Sequence, residues 1–147
     1  MKQYLFKNNF LVEATGTSEV MGQVDKLGTI IENDCDSDLD MISAFCCPIL
    51  NLEDGSFRLY YSAIKIAGQE SEYYISIAES KDLRHWKKPA LGQHFLNGEN
   101  TNRLRIKGIP EGCFTLQPSI VKLTDDNWQM FCWVHGKGYC QIGRAHV

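Results

Sequence analysis

The chain has 147 residues, 44% of them hydrophobic and 22% charged, with a formal net charge of −3. That is enough for one ordinary domain with a real core, and the lack of any Lys/Arg block argues against sequence-independent binding to nucleic acid. No apolar run approaches the length of a bilayer span, and Met1–Phe10 carries charge with no long apolar stretch behind it, so no secretory signal is visible and a cytoplasmic location is expected.

The first chemically marked stretch holds Asp34, Asp36, Asp38 and Asp40. Their spacing of two places all four on one side of an extended segment. A calcium loop counted from Asp34 would need Gly sixth and Glu twelfth, where Leu39 and Phe45 stand, and no other metal-ligand spacing occurs. Pro48–Ser62 then reads as a hairpin, with Asp54-Gly55 as its turn and one-face-buried alternation in Phe57-Arg58-Leu59. Tyr73–Ala78 is a third strand, and Glu79–Trp86 is a turn that returns to a tryptophan.

A polar loop, rich in Asn and Gly, spans 97–112. Pro118–Cys132 follows and matches Pro48–Ser62 without a gap, with Asp126-Asn127 as the second turn and a period of 70 residues. Units of three or four short strands cannot bury both faces alone and need neighbours. The simpler alternative is two similar hairpins in a β-sandwich. Six cysteines include the adjacent Cys46 and Cys47 but no C-x-x-C, which argues for buried thiols over zinc or disulfides. Cys132 and Cys140, equidistant from Gly136, are positioned to face each other across a hairpin.

The run Pro-Ser-Ile-Val, an acidic turn, then Trp128-Gln129-Met130-Phe131, together with Ala78-x-Ser80-x-Asp82-x-x-x-Trp86, resembles the five-bladed β-propeller glycosidases: arabinanases, β-xylosidases, levansucrases and invertases. The resemblance is closest to the uncharacterised bacterial members and covers roughly residues 40–141. It implies an all-β fold holding part of a five-bladed propeller within 1–141, with blade one at about 40–90 and blade two, truncated, at about 112–141. Residues 142–147 resemble a translated sequencing adapter, so they are read as a non-native tail and His146 is no candidate. A propeller broken off there would expose an apolar face around Ile120, Trp128 and Met130 and aggregate.

The resemblance also implies a funnel for an oligosaccharide, an acid before each blade's first proline, a second acid as proton donor, and no cofactor. Cys47 and Gln117 stand before the prolines, and neither is acidic. Asp40 is the acid nearest blade one and the candidate catalytic or sugar-binding carboxylate, against a solvated acidic loop as the plain alternative. Glu111 is the second candidate carboxylate. Asn102, Arg103, Gln117 and His135 are candidate substrate contacts, since amides and guanidinium offer fixed donors and acceptors to hydroxyls. Turn-forming and exposed surface roles are the alternatives for the same residues. The expected function is therefore a glycoside hydrolase-like protein acting on or binding an oligosaccharide, inactive as a fragment. The rival is a non-catalytic carbohydrate-binding or interaction propeller. Partners in nucleic acid or membrane are not expected.

Overall fold

A computed structural model describes residues 2–7, 10–16, 21–29, 31, 41–42, 47–67, 70–96, 98–124, 127–136 and 139–146. Every regular element among them is a β-strand. In chain order these are β1 Lys2–Lys7, β2 Phe10–Gly16, β3 Met21–Thr29, β4 Met41–Ile42, β5 Cys47–Asn51, β6 Phe57–Ala67, β7 Glu70–Ser80, β8 Trp86–Lys87, β9 Phe95–Leu96, β10 Glu99–Asn100, β11 Phe114–Thr124, β12 Asn127–Gly136 and β13 Tyr139–His146. No helix among the described residues is long and apolar enough to cross a membrane.

The strands form an antiparallel sheet in the order β3-β2-β1-β5-β6-β7-β8, with β4 also on β6, a small β9–β10 pair, and a separate β11-β12-β13 sheet. Both expected hairpins are present. In the first, Asn51 pairs with Phe57, and Gly55 at the tip takes φ 78, a conformation that costs glycine little. Asp54 steadies this turn by accepting from Ser56 N at 2.9 Å and from Ser56 Oγ at 2.6 Å. In the second, Thr124 pairs with Asn127. Asp126 lies outside the described residues.

The register corrects the repeat by one residue. Ile49, Leu50 and Asn51 face Leu59, Arg58 and Phe57, while Ile120, Val121 and Lys122 face Met130, Gln129 and Trp128. Every partner lies 71 positions on, not 70. Pro48 and Pro118 are therefore not equivalent, because Pro118 sits in a bulge. Cys132 pairs with Gly143, and Cys140 with His135, so Cys132 and Cys140 do not face each other. Cys132 is a buried free thiol, and burial pushes its pKa up.

Period two along β6 and β7 splits their side chains between two cores. Leu59, Tyr61, Ala63 and Ala78 bury one face with Ile31, and Ile49 and Trp86 pack against them. Tyr60, Ile75 and Ile77 bury the other face against Met130, Cys132 and Val134 of β12. Full burial of a Leu or Ile side chain contributes about 1.5–3 kcal/mol, so these two layers hold the described fold together. With the 71-residue offset, Met130, Cys132 and Val134 correspond to Leu59, Tyr61 and Ala63. They pack on the opposite face of the first unit, so the two units stack head to tail.

This stacking also corrects the expected apolar face. Met130 is only 2% exposed, and Ile120 packs in the shared core. Among the described residues of the second unit, Val121, Leu123, Phe131 and Ile142 are large apolar side chains that stay exposed. Residues 142–146 form the outer part of β13, with Ile142 opposite Trp133 and His146 opposite Gln129.

The turn after β7 is built by its own polar side chains. Asp82 Oδ1 accepts from Arg84 N at 2.9 Å and His85 N at 2.8 Å. Ser80 Oγ accepts from Leu83 N at 3.0 Å, and Trp86 Nε1 donates to Leu83 O at 3.1 Å. Leu83 is thereby held at φ 64, which lets β8 return alongside Glu79 and Ser80.

Candidate functional site

The β11–β12 ribbon carries two of the candidate residues, Gln117 and His135, and the turn that leads into it carries Glu111. Leu116 pairs with Trp133 and Ser119 with Phe131, which leaves Gln117 and Pro118 together opposite Cys132. Such a bulge interrupts the ladder and redirects a side chain. Gln117 has φ 54. Left-handed backbone is unusual for a residue with a Cβ, and a following proline restricts the backbone further. A strained residue of this kind costs on the order of 1–3 kcal/mol. Two contacts hold it: Pro118 is fully buried, and the Gln117 N–H donates to Ser62 Oγ at 2.7 Å. Ser62 is itself fully buried on β6, so the first unit fixes this point of the second.

At the start of β11, Phe114 pairs with His135. Gly136 follows, at φ 144, and a Cβ there would lie 2.5 Å from Gly112 O. Only glycine permits this approach, which seats the Pro110–Cys113 turn and its Glu111 against the end of β12. Cys113 N donates to Pro110 O at 3.1 Å to close that turn. Glu111 and His135 are exposed, and the Trp133 and His135 rings meet edge to face at 6.0 Å. An amide, a carboxylate, an imidazole and an indole thus share one end of one ribbon. Amide and carboxylate supply directional partners for hydroxyls, and the indole supplies an apolar body with a polar tip.

Asn102 and Arg103 lie elsewhere and are not surface loop residues. The 102–104 segment pairs along β7, on the side away from β6: Ile77 N donates to Asn102 O at 3.0 Å, Leu104 N donates to Ile75 O at 2.9 Å, and Arg103 bridges Ser76. Asn102 is 6% exposed, and its amide donates to Tyr61 Oη at 2.8 Å and Ile77 O at 2.7 Å. Arg103 is fully buried, with its guanidinium 4.1 Å over the Tyr74 ring. Tyr74 donates to the Glu72 carboxylate, and its hydroxyl is pushed up to about 12 by burial and by that hydrogen bond. His94 meets the Tyr74 ring edge-on at 5.3 Å, and its pKa is lowered by burial and by the Arg103 charge. These contacts make Asn102 and Arg103 a clamp on β7.

Asp40 lies outside the described residues. Its neighbour Met41 pairs with Ile64 on β6.

A groove of about 330 Å³ lies at the other end of β6, lined by Asp54, Ser56, Glu79, Ser80, Lys81, Asp82, His85 and Lys87. Five residues of strand, roughly 17 Å, separate Phe57 at that end from Ser62. The groove's carboxylates are engaged within the chain. Arg58 Nε and Nη2 donate to Glu79 Oε1 at 2.9 and 2.7 Å, and Asp82 Oδ2 lies 2.6 Å from His85 Nδ1. Among the described residues no group of three or more His, Cys, Asp or Glu could hold a metal.

Sequence reasoning missed Ser62, whose signal was a small polar residue inside the apolar run Tyr60–Ala63. Against protein-family models, curated proteins and solved structures alike, the chain has no match.

Proposed function

We propose that this chain binds an oligosaccharide at the start of β11, as two consecutive blades of a five-bladed propeller of the glycosidase type. The observation that supports the reading is the placement of Gln117 and His135 near the same end of the β11–β12 ribbon, with the Glu111 turn seated against that end by the Gly112–Gly136 approach. Head-to-tail stacking supports the propeller, because neighbouring blades must present opposite faces to each other. Only one of these three residues is acidic, and glycoside hydrolysis uses two carboxyl groups. Binding is therefore the function proposed first, and hydrolysis by Asp40 with Glu111 is its stronger form.

Calorimetric titration with xylo-, arabino- and fructo-oligosaccharides tests binding. Saturable heat that Gln117→Ala abolishes is expected, while absence of heat with the whole panel contradicts the proposal. Release of reducing sugar tests the stronger form, and its loss in Glu111→Gln with retained binding would establish hydrolysis.

A further inference from the structure

The bulge leaves the Gln117 N–H without a partner in the β11–β12 ladder, and the hydroxyl of Ser62 supplies one at 2.7 Å from the neighbouring unit. The donor sits on a residue at φ 54, ahead of a fully buried proline. Glycine would adopt this backbone freely. A glutamine there carries backbone strain that glycine would avoid, and strain of this kind gathers where a side chain has a task. The Ser62 backbone pairs with Ile75 in the β6–β7 ladder, while its side chain is fully buried and its hydroxyl oxygen accepts from residue 117.

We propose that Ser62 is the positioning residue of the site. It holds Gln117 in the left-handed conformation that sets where the carboxamide leaves the ribbon, and so selects ligands that present a hydroxyl pair to one donor and one acceptor. The ligand class rests on the carbohydrate reading above, whereas the positioning itself rests on the backbone geometry alone.

Three variants test it: Gln117→Gly, Ser62→Ala and Ser62→Thr. Gln117→Gly should melt at a higher temperature than the parent and lose oligosaccharide binding. Ser62→Ala should weaken binding about tenfold, the worth of one well-placed hydrogen bond, and move the Gln117 amide proton upfield. Ser62→Thr keeps the hydroxyl and should restore both. A Gln117→Gly protein that melts lower, or that binds as tightly as the parent, overturns the proposal. So does a Gln117 amide resonance that stays in place in Ser62→Ala. Should Ser62→Ala fail to fold, the Gln117→Gly melting temperature and the Ser62→Thr resonance decide the question. A parent that binds none of the sugars sinks the carbohydrate reading, and the melting and resonance results still judge the positioning.

Discussion

Replacing Asn102 by alanine separates a structural clamp from a ligand contact. The side chain is 6% exposed, and its amide makes two donations, to Tyr61 Oη and to the Ile77 carbonyl. Alanine removes both and leaves the Ile77 carbonyl short of a partner in a buried site. Losing the bond to Tyr61 costs about 1 kcal/mol and leaving the Ile77 carbonyl orphaned costs about 1–3, so a total of about 2–4 kcal/mol is expected. For a domain of this size each kcal/mol lowers Tm by about 3 °C, so the expected fall is about 6–12 °C. Thermal unfolding followed by circular dichroism without added sugar is the assay. Asn102→Asp should be worse than alanine, since it keeps no donor and brings a charge into the core. An Asn102→Ala protein that melts within a degree or two of the parent would refute the clamp and return Asn102 to the surface.

Other outcomes follow from the same geometry. Tyr74 should hold its proton until about pH 12. A folded pKa above the unfolded value contributes stability below pH 10 that is lost as pH rises toward 12, so ultraviolet titration should show a late tyrosine step absent from Tyr74→Phe. Asp82 behaves in the opposite sense: its turn hydrogen bonds, first those from His85, hold its carboxyl well below the usual range. Its contribution is present above about pH 4 and lost as pH falls through the depressed value, so Asp82→Ala should flatten the acid limb of the stability curve measured by urea unfolding. Phe131 lies on the exposed apolar face, and Phe131→Thr should reduce self-association in light scattering with little change in Tm.

The local signals in the sequence translated directly into structure where the chemistry was local. Asp54-Gly55 made its turn, Tyr73–Ala78 fell within β7, and the Ser80–Trp86 motif closed on itself through side-chain hydrogen bonds. What depended on distant pairing was not legible. Pro48 and Pro118 invited a 70-residue alignment, but nothing local reveals that Pro118 sits in a bulge while Pro48 pairs with Leu5. Asn102 and Arg103 stand in a stretch whose composition reads as surface loop, and only its pairing along β7 buries them. The β1–β3 meander produced no strand expectation, although Asn8-Asn9 between β1 and β2 and Gly16-Thr17-Ser18 from the end of β2 are turn-forming residues that could have signalled it.

The most direct test of the carbohydrate site is chemical-shift mapping on the isotopically labelled 147-residue chain titrated with the xylo-, arabino- and fructo-oligosaccharides. The account predicts saturable shifts confined to the Glu111 turn, Gln117 and the Trp133–Gly136 end of β12, with residues 54–56 and 79–87 unmoved. Shifts centred on the groove at Asp54, Asp82 and His85, or no shifts with any of the three sugars, would contradict it.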